Sequence, residues 1–326
     1  MGLTVVVIPH TILKSKCQHL TKDKKMDLEL PAVVHDNKVI HGMDIDEYHS
    51  NSAVSRSGLM LMDKSPQHYW WQYLSGQAEK IDTAALRIGG AFHMLVLEPE
   101  LFNQSVAVLP EGAPKKPTIT QLNAKKPSDD TVAAIQWWES WNQFAAGKTV
   151  VSHDEFKEMQ AMADAIKNQR ASSKVIVENG KIESSFFWYD PDYQVMVKTR
   201  PDYYREDGIV LDLKTTRDAS IGSFQKSIID YGYDIQAFMQ MEGIERVTGK
   251  RPENFVFVCV EKTPPYAVAF YVADNDMIEC GRYRYHNLMS KYSECVHSGI
   301  WPGYGELIKP ISIPTWFLNK LEREAQ

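Results

Sequence analysis

The sequence predicts an α/β chain of the α+β kind, with a mixed central sheet flanked by helices. Three observations carry that expectation. Apolar residues recur at helical spacing through 55–98 and 129–170. After Gly180 the period changes to that of strands, with turn residues between short apolar runs. A helical region, two further strands and a long helix then follow to about residue 299. The chain has 326 residues, 44% hydrophobic and 24% charged, which suits a globular protein able to bury a sizeable core.

The elements follow in order. Residues 1–45 are a weakly patterned lead-in, with a charge cluster from Lys22 to Lys25 and one short strand expected at Val33-Val34. The start lacks the basic region of a signal peptide, and Val6 breaks the myristoylation pattern that Met1-Gly2 would open. Residues 46–326 are expected to form a single domain with a helical N-terminal part. Ser55 serves as an N-cap ahead of the apolar run Leu59 to Met62, and Ser65-Pro66 opens a second helix through Trp70, Trp71 and Leu74. A helix over 83–98 carries His93 and stops at Glu98-Pro99. Residues 109–130 set Pro110, Pro114, Pro117 and Pro127 among Lys115, Lys116, Lys125 and Lys126, which reads as a loop or lid.

Helices are expected at 129–146 and 153–170, the second capped by Ser152. Strands follow at 182–189, 195–202 and 208–215, separated by turns at Asp190–Asp192 and Glu206–Gly208. A helical region at 219–247, strands at 254–261 and 266–273, and a helix at 274–299 complete the pattern. The C-terminal tail, with Pro302, Pro310 and Pro314, reads as irregular.

Charge and cysteine usage narrow the setting. A net charge of −6 does not advertise a nucleic-acid binder, although the field along a groove can differ from the average. Cys17, Cys259, Cys280 and Cys295 include no Cys-x-x-Cys pair, which argues against structural zinc and a disulfide framework. Buried or idle thiols in a reducing cytoplasm are the expectation. No run approaches the roughly 18 apolar residues that a membrane span needs, so no membrane partner is expected.

The most informative stretch is 201–214. Pro201-Asp202 is followed by a turn and then by the apolar run that carries Asp212, Leu213 and Lys214. In a strand, Asp212 and Lys214 share a face with Val210, while Leu211 and Leu213 share the other. Asp202 and Asp212 come from adjacent predicted strands and Glu183 from a third. Carboxylates converging in this way suit Mg²⁺, which prefers oxygen ligands. Such an ion can hold a scissile phosphate, activate water and stabilise the leaving oxygen, with Lys214 orienting the water or neutralising charge. The plainer reading of so short a motif is a solvated strand face carrying a trivial ion pair.

The spacing resembles the signature of the PD-(D/E)xK nuclease superfamily, with its restriction-endonuclease-like core. Further segments are similar to its RecB-like and RecE-like members: Ser55-Arg56-Ser57-Gly58-Leu59 with Ser65-Pro66 and Tyr69, then Gly89-Gly90-Ala91-Phe92-His93. Glu183 with Phe186 to Tyr189, Val197 to Asp202, and Asp212 to Thr216 resemble the RecE (exonuclease VIII) branch most closely. The resemblance implies a Mg²⁺-dependent exodeoxyribonuclease, with Mn²⁺ as a substitute, that digests linear duplex DNA from 5′ ends and leaves 3′ single-stranded tails. It implies Asp202, Asp212, the Leu213 carbonyl and His93 as metal ligands, Lys214 as the catalytic lysine and Glu183 as an accessory acid.

It also implies DNA contacts from the helix after the motif, through Tyr233, Gln236 and Gln240. Arg200 clusters in sequence with Lys198, Arg205, Arg217 and Lys226 around the proposed site; Arg200 is taken as a phosphate contact, while scattered surface cations account for the others almost as well. Gln240 stands where related chains carry tyrosine. Partners implied are double-stranded DNA ends, a RecT-type single-strand annealing protein and further copies of the chain in a homo-oligomeric ring. The setting implied is recombination in the cytoplasm of a bacterial host, encoded by a phage or prophage. Two alternatives stand beside this reading: another RecB-like DNA nuclease, and a non-catalytic DNA-binding protein on the same fold. The related iron–sulfur nucleases need closely spaced C-terminal cysteines, which Cys259, Cys280 and Cys295 are not.

Overall fold

Capping side chains decide where the helices begin. The structure is a computed structural model that describes residues 36–79, 83–177 and 179–324; the strand expected at Val33-Val34 lies outside the described residues. β1 (Lys38–Ile40) leads to α1 (Ile45–Ser50), whose N-cap Asp44 accepts from the Asp46 and Glu47 amides. The Ser55 side chain accepts from Gly58 N–H and starts α2 (Arg56–Lys64). Pro66 starts α3 (Pro66–Tyr69), which runs on as a π-helical turn to Leu74. Thr83 caps α4 (Ala84–Leu97), the helix that carries His93.

After α5 (Pro99–Ser105) and β2 (Val106–Val108), the proline- and lysine-rich stretch is a loop except for the single turn α6 (Ile119–Leu122). α7 (Asp129–Ala145) follows, and the tryptophans Trp137 and Trp141 stack along it at 5.8 Å between rings. The segment before Ser152 was expected as a linker but forms β3 (Thr149–Val151), paired in parallel with β2. Its β-branched residues favour that geometry. Ser152 and Glu155 make a capping box at the head of α8 (His153–Lys167), and the one-turn α9 (Ser172–Val175) follows.

The strands then come in quick succession: β4 (Lys181–Ile182), β5 (Ser185–Asp190), β6 (Val195–Thr199), β7 (Tyr203–Arg205) and β8 (Ile209–Thr216). The predicted strand 182–189 breaks at Glu183, whose φ of +46° turns the chain out of β4. The predicted strand 195–202 ends early at Thr199, and a further short strand, β7, forms just after Asp202. The helical region is two helices, α10 (Ile221–Tyr231) and α11 (Tyr233–Thr248), with left-handed Gly232 between them. β9 (Asn254–Glu261), β10 (Val268–Val272) and α12 (Asn275–Ser298) lie where the sequence predicts them. The tail is not irregular throughout: α13 (Thr315–Glu324) forms beyond Pro314, with Phe317, Leu318 and Leu321 at helical spacing.

The five-stranded sheet has the order β10-β9-β8-β7-β4, parallel between β8 and β9 and antiparallel elsewhere. β1, β5 and β6 form a separate antiparallel sheet. Alternation along β8 and β9 sends Leu211, Leu213, Val258 and Val260 to one side, against Phe92 of α4 and Met159, Met162 and Ile166 of α8. The other side sends Val210, Phe255 and Phe257 against Ile235 and Phe238 of α11 and Tyr285 and Met289 of α12. Each such fully buried side chain contributes about 1.5–3 kcal/mol relative to exposure. The plainer alternative, a solvated strand face, does not hold for β8. Both faces are covered, and Asp212 is 0% exposed.

The break between α10 and α11 aims the start of α11 at β8. Gly232 has φ +64°, and a Cβ there would collide with Met60 Sδ of α2. We expect Gly232→Ala to lower stability by about 1–3 kcal/mol, the cost of a non-glycine residue in the left-handed region. Urea denaturation monitored by circular dichroism checks this.

Candidate active site

Strand register brings the acidic residues together. Pairing of β7 with β8 sets Tyr203 opposite Leu211, and this places Asp202, one residue before β7, beside Asp212. Glu183 N–H donates to the Asp202 carbonyl at 3.1 Å and fixes the third acid against the second. The Leu213 N–H donates to Asp202 Oδ2 at 2.7 Å, so Leu213 joins the site through its backbone. From α4, His93 places Nδ1 3.5 Å from Asp202 Oδ2. Ligand atoms of His93, Glu183 and Asp202 all lie within 4.8 Å of one another.

Asp212 sits beside this trio in a polar clamp. The Lys214 ammonium pairs with its Oδ2, and Gln236 Nε2 donates to its Oδ1. Lys214 Nζ also donates to Gln236 Oε1 at 3.2 Å and lies 4.5 Å from the centre of the Tyr233 ring. Among the described residues, Lys214 is the only group in hydrogen-bond or ion-pair contact with Asp212 Oδ2.

Electrostatics follow from this crowding. Burial raises the Asp212 carboxyl; Lys214 opposes the shift and the charge of Asp202 adds to it. Burial, and then the charge of Asp202, pushes Glu183 up to about 7 against the pull of Arg200. Burial and then Asp212 push the Tyr233 hydroxyl up to about 12. The carboxylates are short of compensating positive charge, and a bound dication reverses that balance. Carboxylate oxygens of Glu183 and Asp202, clustered with the His93 imidazole, fit a hard divalent cation. These residues can therefore hold a divalent metal ion.

Not every residue assigned from the sequence reaches the same place. Lys214, Asp212, Asp202, Glu183, His93, Gln236 and Tyr233 converge. Gln240 does not face a substrate: it is 2% exposed, inside the core, and its Oε1 has no hydrogen-bond partner among the described residues. One turn of helix beyond Gln236 points it at packed side chains rather than at the opening. Arg200 is held by Glu183 at 2.7 Å and the Met43 carbonyl at 2.9 Å, so its guanidinium buttresses the acid instead of standing free for DNA. Lys198, a lesser cationic candidate, is buried and donates to the Tyr48 and Asn51 carbonyls; burial lowers it to about 8. Gly89 and Gly90 do not bring helices together, because a Cβ on either would meet open space.

Two neighbours were missed. Arg56 Nη2 donates to Gln236 Oε1 at 3.0 Å; its signal was its place directly after the Ser55 cap in the motif already noted. Glu98 feels the Arg200 charge, which opposes the rise that burial imposes on its carboxyl. Its signal, the helix-ending Glu98-Pro99 step shortly after His93, was read only as a stop.

Comparison with known proteins adds a family and a fold. The family described as "PDDEXK-like domain of unknown function (DUF3799)" matches residues 55–312. Among solved structures, the chain is similar to a "putative exonuclease" from Eubacterium rectale, with 16% identity and a TM-score of 0.51 over 83% of this chain and 97% of that one. That likeness supports the fold alone. A "phage related exonuclease" from Haemophilus somnus 129PT aligns at 13% identity and a TM-score of 0.29, over 58% of this chain and 92% of that one, too weakly to carry an argument. No curated protein matches the sequence. No helix among the described residues is long and apolar enough to cross a membrane.

The raised Glu183 carboxyl sets a sign for stability. Its proton is held more tightly folded than unfolded, so in metal-free protein the stabilisation is full below about 4.5 and is lost as pH rises to about 7. We expect Glu183→Gln to flatten this fall. Thermal melts across that pH window, in chelator, would show the slope in the parent protein and its loss in the variant.

Proposed function

The chain belongs to the PDDEXK-like family DUF3799, and from that premise we propose that it is a Mg²⁺-dependent DNA exonuclease. The observation that carries the reading is the convergence of Asp202, Asp212 and Lys214 with His93 and Glu183, in a buried cluster where the charge of Asp202 works against both neighbouring acids. The donor set supports Mg²⁺ as the working ion and Mn²⁺ as a substitute, because both accept carboxylate oxygens and retain water.

Asp202 and Asp212 would hold the ion, with the Leu213 carbonyl and His93 completing the protein ligands and Glu183 serving as the accessory acid. When bound, such an ion supplies Lewis-acid charge to a scissile phosphate and to the attacking water. The chain's own groups do the rest. Gln236 fixes the Asp212 carboxylate through Oδ1, which keeps that acid oriented. Lys214, held between Asp212, Gln236 and the Tyr233 ring, can donate to the attacking water or neutralise charge gathering on the phosphate. Arg200 holds Glu183 in place.

The finer reading follows the RecE resemblance of the sequence. The substrate is the end of a linear duplex, cut from 5′ to 3′, and the 3′ single-stranded tail passes to a RecT-type annealing protein during phage or prophage recombination in the bacterial cytoplasm. A homo-oligomeric ring around the duplex would reconcile a net charge of −6 with DNA binding, because the channel potential governs contact rather than the average.

Digestion of a linear duplex labelled separately at its 5′ and 3′ ends, beside a closed circle, tests this. We expect early loss of the 5′ label with Mg²⁺, none in chelator, and an intact circle. Asp212→Ala and Lys214→Ala should each slow cleavage roughly 10³-fold or more, since several kcal/mol of charge stabilisation would be lost. Tight DNA binding without cleavage would instead indicate a binding protein on a nuclease fold, and cutting of the circle an endonuclease.

A further inference from the structure

Arg56 lies outside every acidic pair of the site, yet it is bonded to the group that holds the site together. It is the first residue of α2, directly after the Ser55 cap. Its Nη2 donates to Gln236 Oε1 at 3.0 Å, and its Nη1 to the Tyr231 carbonyl at 3.2 Å. The guanidinium carbon stands 5.8 Å from the centre of the Tyr233 ring. Tyr231 is the last residue of α10, where helix carbonyls lack intrahelical donors and favour a cation.

Gln236 is the hinge of the arrangement. Its carbonyl oxygen accepts from Arg56 and Lys214, and its amide nitrogen donates to Asp212. An amide oxygen has two lone pairs, so both are occupied by cationic donors. Flipping the amide would turn its N–H groups toward two cations and its oxygen toward a carboxylate. Lys214 is shared with Asp212 and is assigned to act on substrate, so it is a poor permanent anchor. Arg56 presents a planar fork and is held at three points, by Gln236, the Tyr231 carbonyl and the Tyr233 ring.

We propose that Arg56 is a positioning residue that acts through Gln236: it locks the amide so that Asp212 keeps its orientation while Lys214 is free to act. It therefore ties α2, the end of α10 and α11 to the metal-holding strand. This rests on the reading of Asp212 as a metal ligand, and the test separates the two.

In metal-free protein, the side-chain amide signals of Gln236, identified by their loss in Gln236→Glu, should shift in Arg56→Ala and exchange with water several-fold faster. Calorimetric titration with Mn²⁺ should show binding weakened about 10-fold in Arg56→Ala and in Gln236→Ala, the range seen when the partner of a metal ligand is removed. The double variant should be no weaker than the weaker single variant, because both changes break one path. Arg56→Lys keeps the charge without the fork and should restore binding only in part.

Unmoved amide signals would overturn the proposal whether or not the protein binds metal. So would additive losses in the double variant, or weakened DNA binding with a salt slope reduced by about one, which would make Arg56 a direct phosphate contact. Moved amide signals with no Mn²⁺ binding by the parent protein would uphold the lock and overturn the metal reading alone.

Discussion

Asp212 is a carboxylate with no exposed surface, fixed in the middle of a strand covered on both faces. Burying such a charge costs several kcal/mol unless partners compensate it. Here the compensation is local and specific: an ammonium on one oxygen, an amide donor on the other, and a second carboxylate close enough to work against both. Much of the architecture serves to deliver those partners. Parallel pairing with β9 holds β8 at the centre of the sheet, antiparallel pairing with β7 delivers Asp202, and the break at Gly232 starts α11 where Gln236 can reach back. The result is unfavourable for the metal-free fold and favourable for a cation, the relation expected of a site shaped by function rather than stability.

The cluster is also built from distant parts of the chain. His93 comes from the helical N-terminal half, Glu183 from the bend after β4, Asp202, Asp212 and Lys214 from the β7–β8 hairpin, and Gln236 from the following helix. Each is placed by backbone that packs for other reasons, so the geometry of the site inherits the rigidity of the core. Arg200 and Lys198 show the reverse economy. Both are cations close to the site in sequence, Arg200 the one assigned to DNA, and both are used inside the protein, one to hold Glu183 and one to satisfy the carbonyls of Tyr48 and Asn51.

What could be read from the sequence was set by periodicity and capping. Ser55, Thr83 and Ser152 cap helices because a short hydroxyl before an apolar run satisfies free amides, and two of these caps were legible as such. The Asp212-Leu213-Lys214 alternation correctly separated the two faces of β8. It could not show that both faces are buried, since burial depends on which helices arrive from elsewhere. The same limit explains Gln240: helical spacing aligns it with Gln236, but only packing decides that it turns into the core. Glu183 was legible as an acid near the site, whereas its left-handed backbone, which splits one predicted strand in two, was not. β3 and α13 were missed because three β-branched residues after a glycine and a short amphipathic run after prolines are weak signals in isolation.

On the function proposed, a divalent ion sits between Asp202 and Asp212. Anomalous diffraction from crystals soaked in Mn²⁺ would locate that ion. A peak is expected about 2.0–2.2 Å from carboxylate oxygens of both aspartates, within reach of His93 and next to Lys214. A structure at the same Mn²⁺ concentration with no peak in the pocket, and the Asp212–Lys214 pair intact, would contradict that placement.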